Sequence, residues 1–168
     1  ANHYRVPIVF HIEPFFSPDG IDQLAKVKSF YMEWCETYPN ATIIAAHNGM
    51  MPPEDLSEIF SACSNVMSDF KYLRNRKAQW RFFDLHAISG KDGVLDKRWV
   101  DLMERYPNRF MLGSDFRMSK KRKSDDSEKW LDYLEDLRTL VSPLSKQTQR
   151  KIMFENANKV WDIRMSLN

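Results

Sequence analysis

Three polar residues stand at the ends of apolar runs in this 168-residue chain. His11 lies in the run 6–12, His47 closes the run 42–46, and Asp115 follows the run 110–113 by way of Ser114. Neutral imidazoles and carboxylates are the usual ligands of zinc and similar divalent metals. They are also the groups that carry protons in general acid–base catalysis. Taken singly, each reads as a hydrogen-bonded structural residue. A buried strand that runs directly into a His or Asp is costly unless the polar group is paired or bound. Three such residues in the same position are what a site at one end of a parallel sheet requires, because α/β enzymes place their sites at the C-terminal ends of strands.

The elements that must position these residues follow from hydrophobic periodicity. Residues 6–12 are apolar and β-branched, which predicts a short buried strand. Ser17, Pro18, Asp19 and Gly20 form a turn with a helix start. From Ile21, apolar residues recur at Leu24, Val27, Tyr31, Trp34 and Tyr38, an amphipathic helix that Pro39 and Asn40 end. A strand over 42–46, a short helix over 54–63 and a strand over 65–70 come next. Residues 71–95 give no clear periodicity. A helix over 96–106, with Trp99, Met103 and Tyr106 aligned, leads to a fourth strand over 110–113. A charged loop, 117–128, precedes a helix marked by Trp130, Leu134, Leu137 and Val141. Ser145 is a fair N-cap for a last helical stretch reaching Ile163.

Strands that are apolar throughout and alternate with helices predict an α/β fold with a parallel sheet covered by helices. A complete eight-unit β/α barrel runs to about 250 residues, roughly 30 per unit. Four units and their loops fill residues 1–168 as one domain.

Composition agrees with a folded soluble domain: 43% of residues are hydrophobic and 29% charged, too apolar for a disordered chain. A net charge of +2 argues neither for nor against nucleic acid. The basic loop residues Arg117, Lys120, Lys121, Arg122 and Lys123 are offset by Asp125, Asp126 and Glu128, with no interleaved aromatic platform, so no nucleic-acid partner is expected. No run approaches the ~20 apolar residues of a membrane span, and no signal peptide is visible. The cytoplasm is the default location. Cys35 and Cys63 fall on apolar helix faces and read as two reduced, buried thiols. Asn40-Ala41-Thr42 matches a glycosylation acceptor but overlaps a strand start.

The strand segments resemble a known family. Pro7-Ile8-Val9-Phe10-His11 looks like the fifth strand of amidohydrolase-superfamily barrels, and Ile43-Ile44-Ala45-Ala46-His47-Asn48-Gly49 like the sixth. Asn65-Val66-Met67-Ser68-Asp69-Phe70 is similar to the seventh, and Arg109-Phe110-Met111-Leu112-Gly113-Ser114-Asp115 to the eighth. The segment Glu155-Asn156-Ala157-Asn158-Lys159-Val160-Trp161 resembles the family's terminal helix. The branch most resembled contains aminocarboxymuconate-semialdehyde decarboxylase and related hydrolases. The resemblance implies the C-terminal half of a (β/α)8 TIM-type barrel, strands five to eight, with the N-terminal half absent. It implies a divalent metal, zinc first. His11 would be a metal ligand, His47 an acid/base or water-orienting residue, and Asp115 both ligand and general base. Zinc lowers the pKa of its water to about 7 and polarises a carbonyl.

The family also uses a His-x-His pair on the first strand. The four histidines here, His3, His11, His47 and His86, include no such pair. His11 and Asp115 supply two ligands where a catalytic zinc site normally has three. Glu13, two residues from His11 and so on the same side of a continuing strand, could contribute, although a solvent-facing Glu before Pro14 is the ordinary reading. His3 and His86 read as structural, and Arg117, which could meet a substrate carboxylate, as part of the basic loop.

The expected function is a metal-dependent hydrolase or decarboxylase of a small carbonyl, amide or ester substrate, acting through a metal-activated water and incomplete as an isolated chain. The alternative is a non-catalytic half-barrel serving as a structural or interaction subunit. Its open sheet edges would pair with a second copy or with the missing N-terminal half. Phosphoester or nuclease chemistry on the same barrel ranks last.

Overall fold

The computed structural model describes residues 6–12, 22–70, 88, 92–113 and 126–162. Four strands form one sheet: β1 (Ile8–Phe10), β2 (Ile43–Ala45), β3 (Val66–Phe70) and β4 (Phe110–Leu112). All neighbours pair in parallel, in the spatial order β1-β2-β3-β4. Strand order equal to chain order means that each connection returns to the next place in the sheet and never reverses. A barrel wall is built in that way, whereas a doubly wound sheet contains a switch point where the order turns back.

The connections are helical. Helix α1 (Asp22–Thr37) leads to β2, and α2 (Pro53–Ala62) to β3; α3 (Lys97–Arg105) precedes β4, and α4 (Asp126–Leu140) follows it. The chain ends its described part in α5 (Lys146–Arg150), a π-helical turn (Lys151–Glu155) and α6 (Asn156–Trp161), one continuous helical run. The starts of these helices have local causes. Pro53 opens α2, where its missing N–H would have no intrahelical partner. Asp96 caps α3 by accepting from the Arg98 N–H at 3.0 Å. Ser145 caps α5 as its sequence position suggests, accepting from the Thr148 N–H at 3.2 Å.

The sheet has two different faces because successive side chains alternate. On one face, Ile43, Ala45, Val66, Phe70 and Phe110 pack into the main core. There they meet Val27 and Tyr31 of α1, Leu56 and Ile59 of α2, Trp99 and Met103 of α3, and Leu137 and Leu140 of α4. Burying each large apolar side chain stabilises the fold by roughly 1.5–3 kcal/mol. On the other face, Ile44, Met67 and Met111 form a small cluster covered by Ala157 and Val160 of α6. Val9, in register with Ile44 and Met67, is 47% exposed. Helices α1 to α4 thus sit on the main-core side, and among the described residues the short α6 is the helix that packs on the second face.

The expected strands all form, each shorter than its apolar run: β1 and β2 lose residues at both ends, β3 loses only Asn65 and β4 only Gly113. The two cysteines differ from expectation. Cys35 and Cys63 are joined by a disulfide across 28 residues of sequence, and no described cysteine is free. Cys35 lies on the buried side of α1 and Cys63 immediately after α2, which packs beside α1. Apolar-face spacing places each cysteine inside its own helix but carries no information about how two helices meet; their Cα atoms are 5.8 Å apart, the ordinary distance for a bridge. Among the described residues, no helix is long and apolar enough to cross a membrane.

Candidate active site at the C-terminal ends of the strands

The second face of the sheet turns polar at its C-terminal end. His11 follows β1 by one residue and is exposed. Asp69 lies inside β3, two residues beyond Met67, so it shares Met67's face. It pairs in register with Met111 of β4.

His47 arrives differently. The chain leaves β2 at Ala45 and enters a tight turn, Ala46–Met50, in which the backbone is left-handed. His47, Asn48, Gly49 and Met50 have φ of 54°, 59°, 57° and 56°. Left-handed backbone costs an L-residue roughly 1–2 kcal/mol, so the three non-glycine residues His47, Asn48 and Met50 in this turn store several kcal/mol and persist only where the surroundings over-determine them. The surroundings here are well defined. The His47 N–H donates to Asp69 Oδ1 at 2.8 Å. The fully buried Ser68 hydroxyl donates to Asn48 Oδ1 at 2.7 Å, and the Met51 N–H closes on Asn48 O at 3.0 Å. Gly49 is required twice over: its φ is positive, and a Cβ there would lie 2.8 Å from Met51 Cε and 3.1 Å from Tyr31 Cε2.

The turn delivers the His47 imidazole against its neighbour. The His11 and His47 ring centroids are 5.0 Å apart and the planes nearly perpendicular, at 89°. His47 Nδ1 is buried and lies 3.4 Å from Asp69 Oδ1, within ion-pair distance but not aligned as a hydrogen bond, and it has no hydrogen-bond partner. Gly113, just past β4, leaves room for the same carboxylate: a Cβ at that position would stand 3.0 Å from Asp69 Oδ1. Beneath the cluster, Tyr31 is fully buried and donates to Phe10 O at 3.4 Å. Burial first, and the Asp69 charge second, hold its phenol neutral far above the ordinary range.

Of the predicted site residues, the structure brings His11 and His47 together. Asp115 lies outside the described residues, as do Glu13, His3, His86 and Arg117. Asp69 is the residue the sequence reading passed over. Its signal was an acidic residue, next to a serine, in a strand whose other members are Val66, Met67 and Phe70. Two imidazoles and a carboxylate are suitable donors for a divalent metal, and the exposed His11 ring is accessible to one. Among the described residues, no three His, Cys, Asp or Glu side chains gather as a complete metal-holding group. Of the clefts in the molecule, one of about 440 Å³ runs between α2 and α3, lined by Glu54, Ser57 and Arg98. Another of about 410 Å³ opens at the N-terminal end of the strands, beside Asn65, Arg109 and Lys159. Neither includes His11, His47 or Asp69.

A family model described as amidohydrolase matches residues 1–163. Comparison with curated proteins and with solved structures returns no match. The matched family consists of TIM-barrel enzymes, in general metal-dependent hydrolases and decarboxylases. The match spans nearly the whole chain, and a parallel sheet in chain order is consistent with the barrel of that family. The chain belongs to the amidohydrolase family.

Proposed function

We propose that this chain supplies the C-terminal half of a metal-dependent hydrolase or decarboxylase that acts on a small carbonyl, amide or ester compound. The observation that carries the reading is the pair of imidazoles, His11 and His47, stacked edge to face at the C-terminal ends of adjacent parallel strands. In this reading β1 to β4 are strands five to eight of the barrel, and residues 1–168 are one partial domain. His11 and Asp115 hold the metal, which is zinc, and the first-strand His-x-His pair comes from the other half of the barrel. The metal, when bound, polarises the substrate carbonyl and makes water acidic enough to attack near neutral pH.

The protein's own groups handle the proton. Asp115 takes it from the attacking water and delivers it to the leaving group, and His47 orients the water and shares the transfer. His47 suits that role because its left-handed turn fixes where the ring stands before substrate arrives. The Asp115→Asn variant tests the reading in the assembled barrel against a panel of small amides, esters and β-oxo acids. Loss of turnover by roughly 10²–10⁴-fold is expected for a missing proton carrier. Turnover retained at the level of the unmodified protein would remove Asp115 from the mechanism.

A second reading has one observation in its favour. Val9 of β1, an end strand of the sheet among the described residues, and Val6 just before it are 47% and 53% exposed. An apolar edge with unpaired backbone groups is a pairing surface, and a half-barrel that binds a second copy or the other half through it could be structural alone. A dimer or larger species by mass in solution supports that pairing; a monodisperse monomer counts against it.

A further inference from the structure

Asp69 stands between the turn that carries His47 and the residue just past β4. One oxygen, Oδ1, accepts the His47 N–H at 2.8 Å and stands 3.4 Å from His47 Nδ1. That nitrogen is buried and has no hydrogen-bond partner. The carboxylate reaches this position because the residue just past β4 is Gly113, where any Cβ would press on Asp69 at 3.0–3.3 Å. The turn it anchors is four residues of left-handed backbone that would not persist without such restraints.

We propose that Asp69 is a positioning residue for His47: it pins the left-handed turn through the backbone N–H and, through the same oxygen, selects the imidazole tautomer with its proton on Nδ1. A neutral imidazole has one N–H and one lone pair, and the partner of one nitrogen decides the state of the other. A carboxylate beside Nδ1 favours Nδ1–H, because a proton there is attracted by the nearby negative charge while a lone pair would be repelled by it. Nε2 is then left with the lone pair, as an acid/base or ligating nitrogen must be. The catalytic consequence rests on the proposed function; the tautomer does not, since it follows from this chain's own contacts.

The test is a long-range proton–nitrogen correlation spectrum of the nitrogen-15-labelled chain at about pH 8, where an imidazole in water is neutral. His47 is assigned by its loss in His47→Gln. The expected result is a His47 pattern dominated by Nδ1–H, converted toward Nε2–H in Asp69→Asn, which keeps a backbone acceptor but not the charge. A second variant, Gly113→Ala, leaves the carboxylate in the chain and displaces it. It should move the same resonances in the same direction even if Asp69→Asn folds poorly. An Nε2–H pattern in the unmodified chain, or a His47 pattern unchanged in both variants, would overturn the assignment. In the assembled enzyme Asp69→Asn should lower kcat roughly 10- to 100-fold with little change in KM, as loss of an orienting partner does. If turnover is absent altogether while the tautomer behaves as expected, the proposed function fails and the positioning role of Asp69 stands. If turnover is present and the tautomer is insensitive to Asp69, the converse holds.

Discussion

Replacing Gly49 with alanine should destabilise the protein by about 2–4 kcal/mol, and the sum can be followed from the structure. The first part is conformational. Gly49 sits at φ 57°, where an alanine costs roughly 1–2 kcal/mol. The second part is steric. The new methyl would lie 2.8 Å from Met51 Cε and 3.1 Å from Tyr31 Cε2. A methionine terminus can usually swing aside, but Met51 is 1% exposed and Tyr31 0%, and the Tyr31 ring is held edge-on by Phe10 and Phe30. Overpacking a site with no free volume costs typically 1–3 kcal/mol, and the flexible methionine end places this one in the lower half of that range, at about 1–2 kcal/mol. Urea unfolding followed by circular dichroism reads the difference as a lower midpoint at unchanged slope. At roughly 2–4 °C per kcal/mol for a chain of this size, the melting temperature should fall by about 4–16 °C. Because the same turn carries His47, the His47 ring resonances should move in the folded variant. A loss below about 0.5 kcal/mol with unchanged His47 signals would mean that the turn is not left-handed, and the account of how His47 is positioned would go with it.

The disulfide closes 28 residues of chain, which in the loop-entropy account is worth about 3.5 kcal/mol; unfolding with and without reductant should differ by that order, and identical midpoints would mean that Cys35 and Cys63 are not joined. Asn156 is buried and gives its side-chain N–H groups to Pro107 O and Phe110 O, both at 2.8 Å. Asn156→Ala strands those carbonyls and should cost about 1–3 kcal/mol by urea unfolding. Desolvation alone would push the Glu104 carboxyl up, but the Ser145 N–H and the Thr148 and Ser145 hydroxyls outweigh it and hold it below its usual 4.5. A carboxyl depressed in the folded state stabilises above its unfolded pKa, and that contribution disappears as pH falls through the folded value. Midpoints measured downward from about pH 4.5 should therefore fall more gently in Glu104→Gln than in the unmodified chain.

How much of this was legible in the sequence depends on the range of the signal. The strands are short apolar runs bounded by turn residues, and β2, β3 and β4 form inside the runs 42–46, 65–70 and 110–113. The cap at Ser145 is local chemistry and is found where residue type puts it, and the helix expected over 96–106 forms over Lys97–Arg105. His11 and His47 come together because the ends of neighbouring parallel strands are neighbours in space, so position in the chain was enough. What sequence could not give is set by contacts between elements. The bridge between Cys35 and Cys63 depends on how α1 lies against α2. The role of Asp69 depends on a left-handed turn 20 residues earlier, whose only local hint is the Asn48-Gly49 pair. His47 and Asn48 adopt positive φ against their own preference because Asp69 and Ser68 hold them, a tertiary effect that a local pattern does not encode.

The central claim is that His11 and Asp115 of this chain hold a catalytic metal. Elemental analysis of the protein in its native assembly, purified without chelator, tests it most directly. The account predicts about one divalent ion per chain, zinc foremost, lost in His11→Ala and in Asp115→Asn while the fold remains intact by circular dichroism. A well-folded sample without metal, or a metal that survives both substitutions, would contradict it.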